Sequence, residues 1–523
     1  MQPRSSIIVK EKRQVFLAWI FFLLSFLAPV PASSQGYNPG YELAKKQDLQ
    51  LYSSVLKETR SIEIVVPPGY RPDSSARYDV IYVLDGIRAL HFVAHDYLTG
   101  EGFIPKNTIL VGLLGIKDTN TRYRDFTPTR LSPGSGGADN FLLFLKAELI
   151  PYINKTYPTR PEGNTLAGGS LGGLFVMYAL LNEPSLFKSY IALDPSLFWD
   201  DGYLNKLAAK KLDRLRGLHR TLWIIGREGQ AYRDMGIAVM KSTLQATAPA
   251  DLTWSCVAYP DETHLTTGFK GFWDGLKFSY GGYYGASGIN FKPMNGIIVK
   301  GRPFQLWCYN LMASAYIHYT MDDTEPTLAS PDIADENTFT FSRDTHITLK
   351  SLGARAEYDI SARGEFKLGD ALSPTAKPEG MRPGGLRFAY YEGEWDELPD
   401  FSGLKPTRSG LAGKDFDLSG FPSQKGFACL MEGAIEVKQR GYYIFELGGD
   451  GGWKVYLGGH LLLGNHYVSG FGENYMAPLE KGFYNFRVEY LHRKGGNNLE
   501  AVYMKQEGKQ DIPIPVELLY SRN

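Results

Sequence analysis

The chain has 523 residues, which is too long for one ordinary domain and predicts about three or four folded units. Lysine plus arginine and aspartate plus glutamate both number 56, so the formal net charge at pH 7 is zero. This balance argues against nucleic acid or an anionic membrane as a partner, and it favours a small substrate with little or no charge.

The N-terminus has the pattern of an export signal. Basic residues precede an apolar run over residues 15–30, and small residues follow it. We therefore predict a signal peptide over residues 1–34. The apolar run is shorter than the ~20 residues that a membrane-spanning helix needs. We expect an exported protein, periplasmic or extracellular, without stable membrane insertion after cleavage. The sequence indicates no oligomeric state.

Segments typical of buried strands and of amphipathic helices alternate in the first half of the chain. Residues 61–66, 78–84 and 108–116 are strand candidates, and residues 138–153 have helical spacing. The pattern predicts an α/β domain over residues 36–283, with a mainly parallel sheet and flanking helices.

The second half has a different pattern, and the protein is therefore multidomain. From residue 288 onward, short alternating segments are separated by turn residues. We predict two all-β sandwich domains, over residues 288–371 and 384–523. Residues 372–383 contain proline and glycine and are predicted to be a linker.

Ser170 is the candidate nucleophile. It lies in the pattern GGSLG over residues 168–172, with a strand-like segment before it and a helix-like segment after it. This is the strand-turn-helix context of a hydrolase serine, and a helix N-cap is the alternative. The backbone N–H of Leu171 would point to a developing oxyanion, and Gly86 or Ile87 offers the second donor.

A nucleophilic serine needs a base, and the base needs a carboxylate that orients it. His264 follows the last predicted strand of the α/β region and is the candidate base, with a solvent-facing loop histidine as the alternative. Glu228 comes after the strand TLWIIG and Arg227. It is closer than Asp234 to the carboxyl end of that strand, where sites on open α/β sheets are built, so we favour it as the acid. Asp194 is a third candidate and is less favoured than Glu228, because it does not follow the strand at which this architecture places the acid.

Loops after the predicted strands supply candidate substrate-pocket residues, namely Asp85, Arg124 and Trp199. For Arg124, a salt bridge with the adjacent Asp125 is the alternative.

His91 and His95 have the i, i+4 spacing of two zinc ligands on one helix face. The sequence shows no third ligand and lacks the glutamate of a metalloprotease motif. We predict no metal and no organic cofactor.

Several blocks carry a family resemblance over about residues 45–280. They include YDVIYVLDG, RYRDFTPT and AGGSLGGLFVMYALLNEPSLFKSYIALDPSLFWD. Together with the late His264, they resemble the putative-esterase family of α/β-hydrolases, which includes enterochelin, feruloyl and acetyl-xylan esterases. The resemblance implies Ser170 as nucleophile, His264 as base, and Gly86 with Leu171 as the oxyanion hole.

The β-rich half carries two further resemblances. Residues 315–331 resemble the small C-terminal β-sandwich of chitobiases and β-hexosaminidases, which implies a spacer. Residues 384–523 resemble the protective-antigen-type β-sandwich, which often binds sugar. Trp453 and Asp450 are then possible glycan contacts, with strand-core packing as the alternative for Trp453. Gly449 replaces one of the two aspartates of calcium-dependent members, which puts calcium binding in doubt.

These features predict a carboxylic ester hydrolase with a Ser-His-acid triad. The β-rich domains favour an acetyl or feruloyl ester on a polysaccharide-linked substrate. One alternative is a periplasmic siderophore esterase of the enterochelin type. The other is a glycan-binding protein with an inactive hydrolase domain.

Overall fold

The computed structural model describes most of the chain from residue 45 onward, and the predicted signal peptide lies outside the described residues. The described ranges are 45–73, 75–84, 88–115, 120–285, 288–308, 316–333, 336–412, 426–448, 451–464, 473–493, 499–508 and 510–522.

One eight-stranded sheet organises the first half of the chain. Its strands are β1 (Lys45–Ser53), β2 (Glu58–Val66), β3 (Asp79–Leu84), β4 (Thr108–Gly115), β5 (Thr165–Gly169), β6 (Ser189–Leu193), β7 (Thr221–Arg227) and β8 (Thr253–Tyr259). They lie in the order β1-β2-β4-β3-β5-β6-β7-β8. The strands from β3 to β8 pair in parallel, whereas β1 and β2 run antiparallel to their neighbours. This confirms the predicted α/β class.

Helices cover both faces of this sheet. They are α1 (Arg88–Gly100), α2 (Arg122–Asp125), α3 (Ala138–Phe144), α4 (Ile150–Thr156), α5 (Leu171–Asn182), α6 (Trp199–Lys211), α7 (Gln230–Asp234), α8 (Ile237–Thr247) and α9 (Thr266–Ser279). Successive residues of a strand point to opposite faces. Tyr82 therefore packs in one core with Phe175, and Ile81 in the other core with Phe272. Among the described residues, no helix is long and apolar enough to span a membrane.

The second half of the chain consists of strands. They are β9 (Phe291–Lys292), β10 (Asn295–Ile298), β11 (Phe304–Cys308), β12 (Ile317–Thr320), β13 (Glu336–Phe339), β14 (Thr345–Ser351), β15 (Ser361–Leu368), β16 (Met381–Pro383), β17 (Leu386–Glu392), β18 (Arg408–Ala412), β19 (Phe427–Val437), β20 (Gly441–Gly448), β21 (Gly452–Leu457), β22 (His460–Leu463), β23 (Glu473–Leu479), β24 (Gly482–His492), β25 (Glu500–Lys505), β26 (Ile512–Pro513) and β27 (Leu519–Arg522).

The two predicted sandwiches share one sheet. Its order is β12-β14-β15-β10-β23-β20-β25-β26, with β10 parallel to β15 on one side and to β23 on the other. A three-stranded sheet, β13-β11-β9, completes the middle region, and a sheet ordered β16-β27-β19-β24-β21-β22, with β17 and β18 attached at β19, completes the C-terminal region. Phe291 and Met476, from the two regions, lie in one core. The two predicted β-rich regions are therefore joined by a shared sheet, which the sequence did not indicate, because alternation identifies strands but not their partners at a sheet edge.

The predicted linker is hydrogen-bonded to neighbouring strands. The Leu372 N–H donates to the Pro478 carbonyl at 2.8 Å, and the Thr375 N–H donates to the Phe483 carbonyl at 2.7 Å. Its last residues form β16, which pairs with β27. Proline and glycine prevent this segment from forming a long strand. Its other residues can still make single backbone hydrogen bonds to a neighbouring strand.

An arginine of the middle region is buried in the α/β domain. Arg355 is 2% exposed, and its guanidinium donates to Asp79 at 3.2 Å, to Thr165 at 2.9 Å and to Ser189 at 3.0 Å. It also lies 4.1 Å over the ring of Tyr280. Its three side-chain acceptors begin β3, β5 and β6. Arg355 therefore joins the middle region to the amino-terminal edge of the parallel strands.

We expect Arg355→Met to destabilise the α/β domain by about 3 kcal/mol, because it removes hydrogen bonds to buried acceptors of three strands and one of the two arginines that pair with Asp79. The thermal unfolding midpoint should fall by roughly 6–12 °C, measured by tryptophan fluorescence. Arg363→Met is the matched control, because Arg363 pairs with Asp323 on the surface and is half exposed. Equal shifts for the two variants would contradict a role for Arg355 in joining the domains.

Candidate active site

Ser170 occupies a strained turn between β5 and α5. Its φ of +55° and ψ of −117° are unusual for a residue with a side chain. Two backbone bonds hold it against the loop after β6. The Ser170 N–H donates to the Leu193 carbonyl at 2.9 Å, and the Ser196 N–H donates to the Ser170 carbonyl at 3.1 Å. The structure thus places Ser170 in the predicted strand-turn-helix context, at the carboxyl end of β5.

Two of the neighbouring glycines are required by close approach of the backbone. A Cβ on Gly168 would lie 2.7 Å from the carbonyl carbon of Gly172. A Cβ on Gly173 would lie 2.9 Å from the Cβ of Pro195. Both distances are shorter than real Cβ contacts, so larger residues would push the turn apart.

The structure pairs His264 with Asp194. The distance from His264 Nδ1 to Asp194 Oδ2 is 2.6 Å. Asp194 is 1% exposed. By contrast, Glu228 is exposed, and the exposed Asp234 accepts a hydrogen bond from Gln230. The prediction of Glu228 as the partner of His264 is therefore wrong, and the third candidate takes that place.

The order of the strands in the sheet explains why Asp194, and not Glu228, pairs with His264. β6 lies next to β5, and Leu193 is in register with Gly169, so Asp194 emerges directly beside the Ser170 turn. The strand expected to provide the acid, β7, instead ends in Arg227. Arg227 Nε donates to the same Asp194 Oδ2 at 2.7 Å. A cation from β7 thus supports an acid from β6.

The environment of Asp194 keeps its carboxyl group ionised. Burial alone would raise its pKa, but the hydrogen bonds from His264 and Arg227 together lower the pKa below its ordinary value. At neutral pH the carboxylate therefore accepts the Nδ1–H of His264. This fixes the tautomer in which Nε2 is free to accept a proton.

Of the groups predicted to form the oxyanion hole, the structure describes Leu171 but not Gly86. Leu171 is the first residue of α5, where a backbone N–H has no partner within its own helix. Gly86 lies outside the described residues, and so do Ile87 and Asp85. The Ser170 hydroxyl lies 3.3 Å from the hydroxyl of Ser196, a neighbour that the motif alone did not indicate.

Two predicted pocket residues have structural partners. Arg124 binds both carboxylate oxygens of Glu58 and also Asp125, at 2.8 Å, so the salt-bridge alternative holds. Trp199 is 7% exposed and donates its Nε1–H to Thr129 at 2.9 Å. Both side chains support the edge of the site more than they line it.

Apolar side chains that sequence reasoning missed are exposed around this edge. Phe198 is 53% exposed and Leu265, next to His264, is 63% exposed. Tyr123 is 41% exposed and lies 5.4 Å from the ring of Trp199. They all follow parallel strands at their carboxyl ends, which is the signal that could have found them.

A cation also reaches this edge. The Arg122 guanidinium donates to the carbonyl of Gly169, the residue before Ser170, at 3.5 Å. Arg122 precedes Tyr123 in α2, so a positive charge and an aromatic ring lie side by side near the nucleophile.

His91 and His95 are buried in the packing of α1. The ring of His91 lies 4.4 Å from that of Phe272, and His95 Nε2 lies 3.2 Å from the Thr108 carbonyl. Burial lowers the pKa of His95 to about 4, so its ring is neutral at physiological pH.

The predicted glycan contact at Trp453 is wrong. Its side chain is 2% exposed and packs with Val455 and Leu457, which are on the same inward face of β21. The core-packing alternative therefore holds. Asp450, the other candidate contact, lies outside the described residues.

We expect Asp194→Asn to lower kcat by about 10³–10⁴-fold, because an amide cannot hold the Nδ1–H tautomer of His264. Glu228→Gln is the matched control and should leave kcat unchanged. Both are measured by hydrolysis of an aryl acetate across the pH range. A loss in Glu228→Gln as large as in Asp194→Asn would show that the acid acts from β7.

Two family models match separate segments of the chain. Residues 53–259 match the family described as Putative esterase, and residues 393–516 match the PA14 domain. The first match covers the strands from β2 to β8, and the second covers most of the predicted protective-antigen-type domain.

Several curated relatives are esterases of siderophores. The chain is 32% identical over 170 residues to ferri-bacillibactin esterase BesA of Bacillus subtilis, which covers 28% of this chain and 58% of that protein. It is 30% identical over 138 residues to siderophore triacetylfusarinine C esterase of Aspergillus fumigatus, which covers 23% of this chain and 45% of that protein. The chain thus spans less than two thirds of the length of either relative.

Among solved structures, an IroE-like serine hydrolase from Shewanella oneidensis is 30% identical, with a TM-score of 0.40. The alignment covers 45% of this chain and 79% of that chain. The family match and the curated relatives together support a carboxylic ester hydrolase. The chain combines an N-terminal segment that matches the Putative esterase family with a C-terminal segment that matches the PA14 domain.

Proposed function

We propose that this protein is an exported serine esterase that hydrolyses the ester bonds of a siderophore. The observation that carries the proposal is the Asp194–His264 bond of 2.6 Å, formed beside the strained turn of Ser170. A buried, ionised acid and an oriented imidazole are what a serine needs to act as a nucleophile.

The reaction follows from the roles of these groups. Ser170 Oγ attacks the ester carbonyl carbon while His264 Nε2 takes the hydroxyl proton. The oxyanion forms at the N-terminus of α5, near the Leu171 N–H. The C–O bond to the alcohol then breaks, and the alcohol leaves with the proton from His264. Water attacks the acyl-enzyme with His264 again as base, which releases the acid and restores Ser170.

The relatives favour a siderophore over the carbohydrate-linked ester. The expectation of an acetyl or feruloyl ester came from the β-rich half of the chain, which is an association between modules. The relatives named above match the α/β half, where the chemistry takes place, and their names specify siderophores. The hydrogen bond between Asp194 and His264, next to the turn of Ser170, argues against the alternative of an inactive hydrolase domain.

The edge of the site suits a siderophore with aromatic groups. A catechol ring offers a face for Phe198 and Tyr123, both of which are exposed there. Catecholate oxygens that bind ferric iron carry negative charge, and the cation of Arg122 lies beside Tyr123. The ferric ion belongs to the substrate in this proposal and not to the protein.

We expect Ser170→Ala to reduce hydrolysis of any ester by a factor on the order of 10⁶. For the unaltered protein, kcat/KM should be higher for a ferric catecholate triester than for acetylated or feruloylated xylan. Product release measured by chromatography on all three substrates tests both points. Activity of Ser170→Ala close to that of the parent would exclude the serine mechanism, and preference for xylan esters would restore the carbohydrate hypothesis.

We expect Phe198→Ala to raise KM for a catechol siderophore by about three- to tenfold, because the catechol ring of the substrate loses the aromatic side chain on which it stacks. Its kcat for a simple aryl acetate should not change. Val239→Ala is the control, because Val239 is 55% exposed on α8. If the two variants have the same KM, Phe198 does not contact the substrate.

A further inference from the structure

A second serine, Ser196, lies beside the candidate nucleophile. It is in the loop after β6, two residues beyond Asp194, and its side chain is 3% exposed. Its Oγ lies 3.3 Å from Ser170 Oγ, which is a long and weak hydrogen bond between two hydroxyl groups. A triad of serine, histidine and acid does not by itself need this hydroxyl group.

The backbone holds Ser196 against the turn of Ser170. The Ser196 N–H donates to the Ser170 carbonyl at 3.1 Å. Pro195, the residue before it, packs closely on Gly173 of α5, and Leu197, the residue after it, is buried in the core. The two hydroxyl groups are therefore kept together by the fold and not by a chance orientation of exposed side chains.

The surroundings of the two hydroxyl groups indicate which of them donates. A buried hydroxyl group nearly always has a hydrogen-bond partner. Within the described ranges, Ser170 Oγ is the one partner of the Ser196 side chain. In the same part of the chain, the buried Oδ1 of Asp194 has no hydrogen-bond partner, so the Ser196 proton is not directed to the acid. Ser196 therefore donates to Ser170 Oγ, and the proton of the partly exposed Ser170 is free to pass to His264.

This hydrogen bond gains strength when the charge on Ser170 Oγ changes. During the attack, the Ser170 proton passes to His264 Nε2 while Oγ forms its bond to the ester carbon, so Oγ carries extra negative charge for a moment. Charge strengthens and shortens a hydrogen bond. The same charge returns to Oγ when the acyl-enzyme breaks down and the bond between Oγ and the acyl carbon breaks. Ser196 keeps its own proton throughout.

We propose that Ser196 is a further catalytic residue, whose hydroxyl group donates a hydrogen bond to Ser170 Oγ in the transition states of acylation and deacylation. An interaction that is stronger in the transition state than in the ground state raises the rate. The Leu171 N–H acts on a different atom, the carbonyl oxygen of the substrate. This inference rests on the proposed role of Ser170 as the nucleophile.

The first test is Ser196→Ala, which removes the hydroxyl group and leaves the backbone bonds possible. We expect kcat and kcat/KM for 4-nitrophenyl acetate both to fall by about ten- to thirtyfold, because a hydrogen bond to a developing charge is lost. The acylation and deacylation rate constants, measured from the burst and the steady state of nitrophenol release, should fall by similar factors.

Ser279→Ala is the matched control. Ser279 is also buried, and its hydroxyl group donates to the Gly275 carbonyl within α9 at 2.7 Å. This variant loses the same atom away from the nucleophile, and it should hydrolyse 4-nitrophenyl acetate at the parental rate. The unfolding temperatures of both variants should stay close to that of the parent.

Two inhibitors separate a catalytic role of Ser196 from a structural one. Phenylboronic acid forms a tetrahedral anionic adduct with an attacking serine Oγ, whereas benzamide has the same ring and does not react. We expect Ser196→Ala to weaken the binding of phenylboronic acid by about tenfold and to leave the binding of benzamide unchanged. Because the serine hydroxyl group does not titrate near neutral pH, the pH at which kcat is half-maximal should not move.

Three results would overturn the inference. The first is a Ser196→Ala variant whose rates stay within about twofold of the parent. The second is an equal loss of phenylboronic acid and benzamide binding, and the third is a shifted pH of half-maximal kcat. These last two would show that the variant displaces the site or Asp194. The proposed mechanism would fail differently, through a parent that forms no adduct with phenylboronic acid or through a Ser170→Ala variant that stays active.

Discussion

The candidate active site depends on the parallel pairing of β5 with β6. This pairing continues past the end of β5 as the bond from the Ser170 N–H to the Leu193 carbonyl, which holds the serine in a left-handed conformation that it would otherwise avoid. Since Asp194 follows Leu193, the same register sets the distance between nucleophile and acid. The glycines near Ser170 serve this arrangement, because α5 and Pro195 approach where side chains would collide.

A single carboxylate oxygen joins three strands at this edge. Oδ2 of Asp194, after β6, accepts hydrogen bonds from Arg227 at the end of β7 and from His264 in the loop after β8. In a buried position, an ionised carboxylate needs such partners to offset the cost of leaving water. The arginine therefore allows the acid to remain charged, and the charged acid orients the imidazole. The three groups form one electrostatic unit.

The opposite edge of the sheet serves a structural purpose. Asp79, Thr165 and Ser189 begin strands whose carboxyl ends lead toward the site, and Arg355 binds all three from the middle region. The middle region in turn shares a sheet with the C-terminal region through β10 and β23. The three regions are thus connected through buried contacts, whereas independent modules on flexible linkers would be joined through exposed ones.

Local sequence determined the class of the α/β domain, the strand-turn-helix at Ser170 and the histidine in the last loop. These features depend on hydrophobic periodicity and on glycine spacing, which are properties of neighbouring residues. Only the tertiary structure decided between Asp194 and Glu228, because the choice depends on which strands are adjacent and where their ends meet. It likewise decided that Trp453 points inward, that residues 372–383 pair with neighbouring strands and that the two β-rich regions share a sheet. Strand partners and the face that becomes buried are set by contacts between distant segments, and no local pattern encodes them.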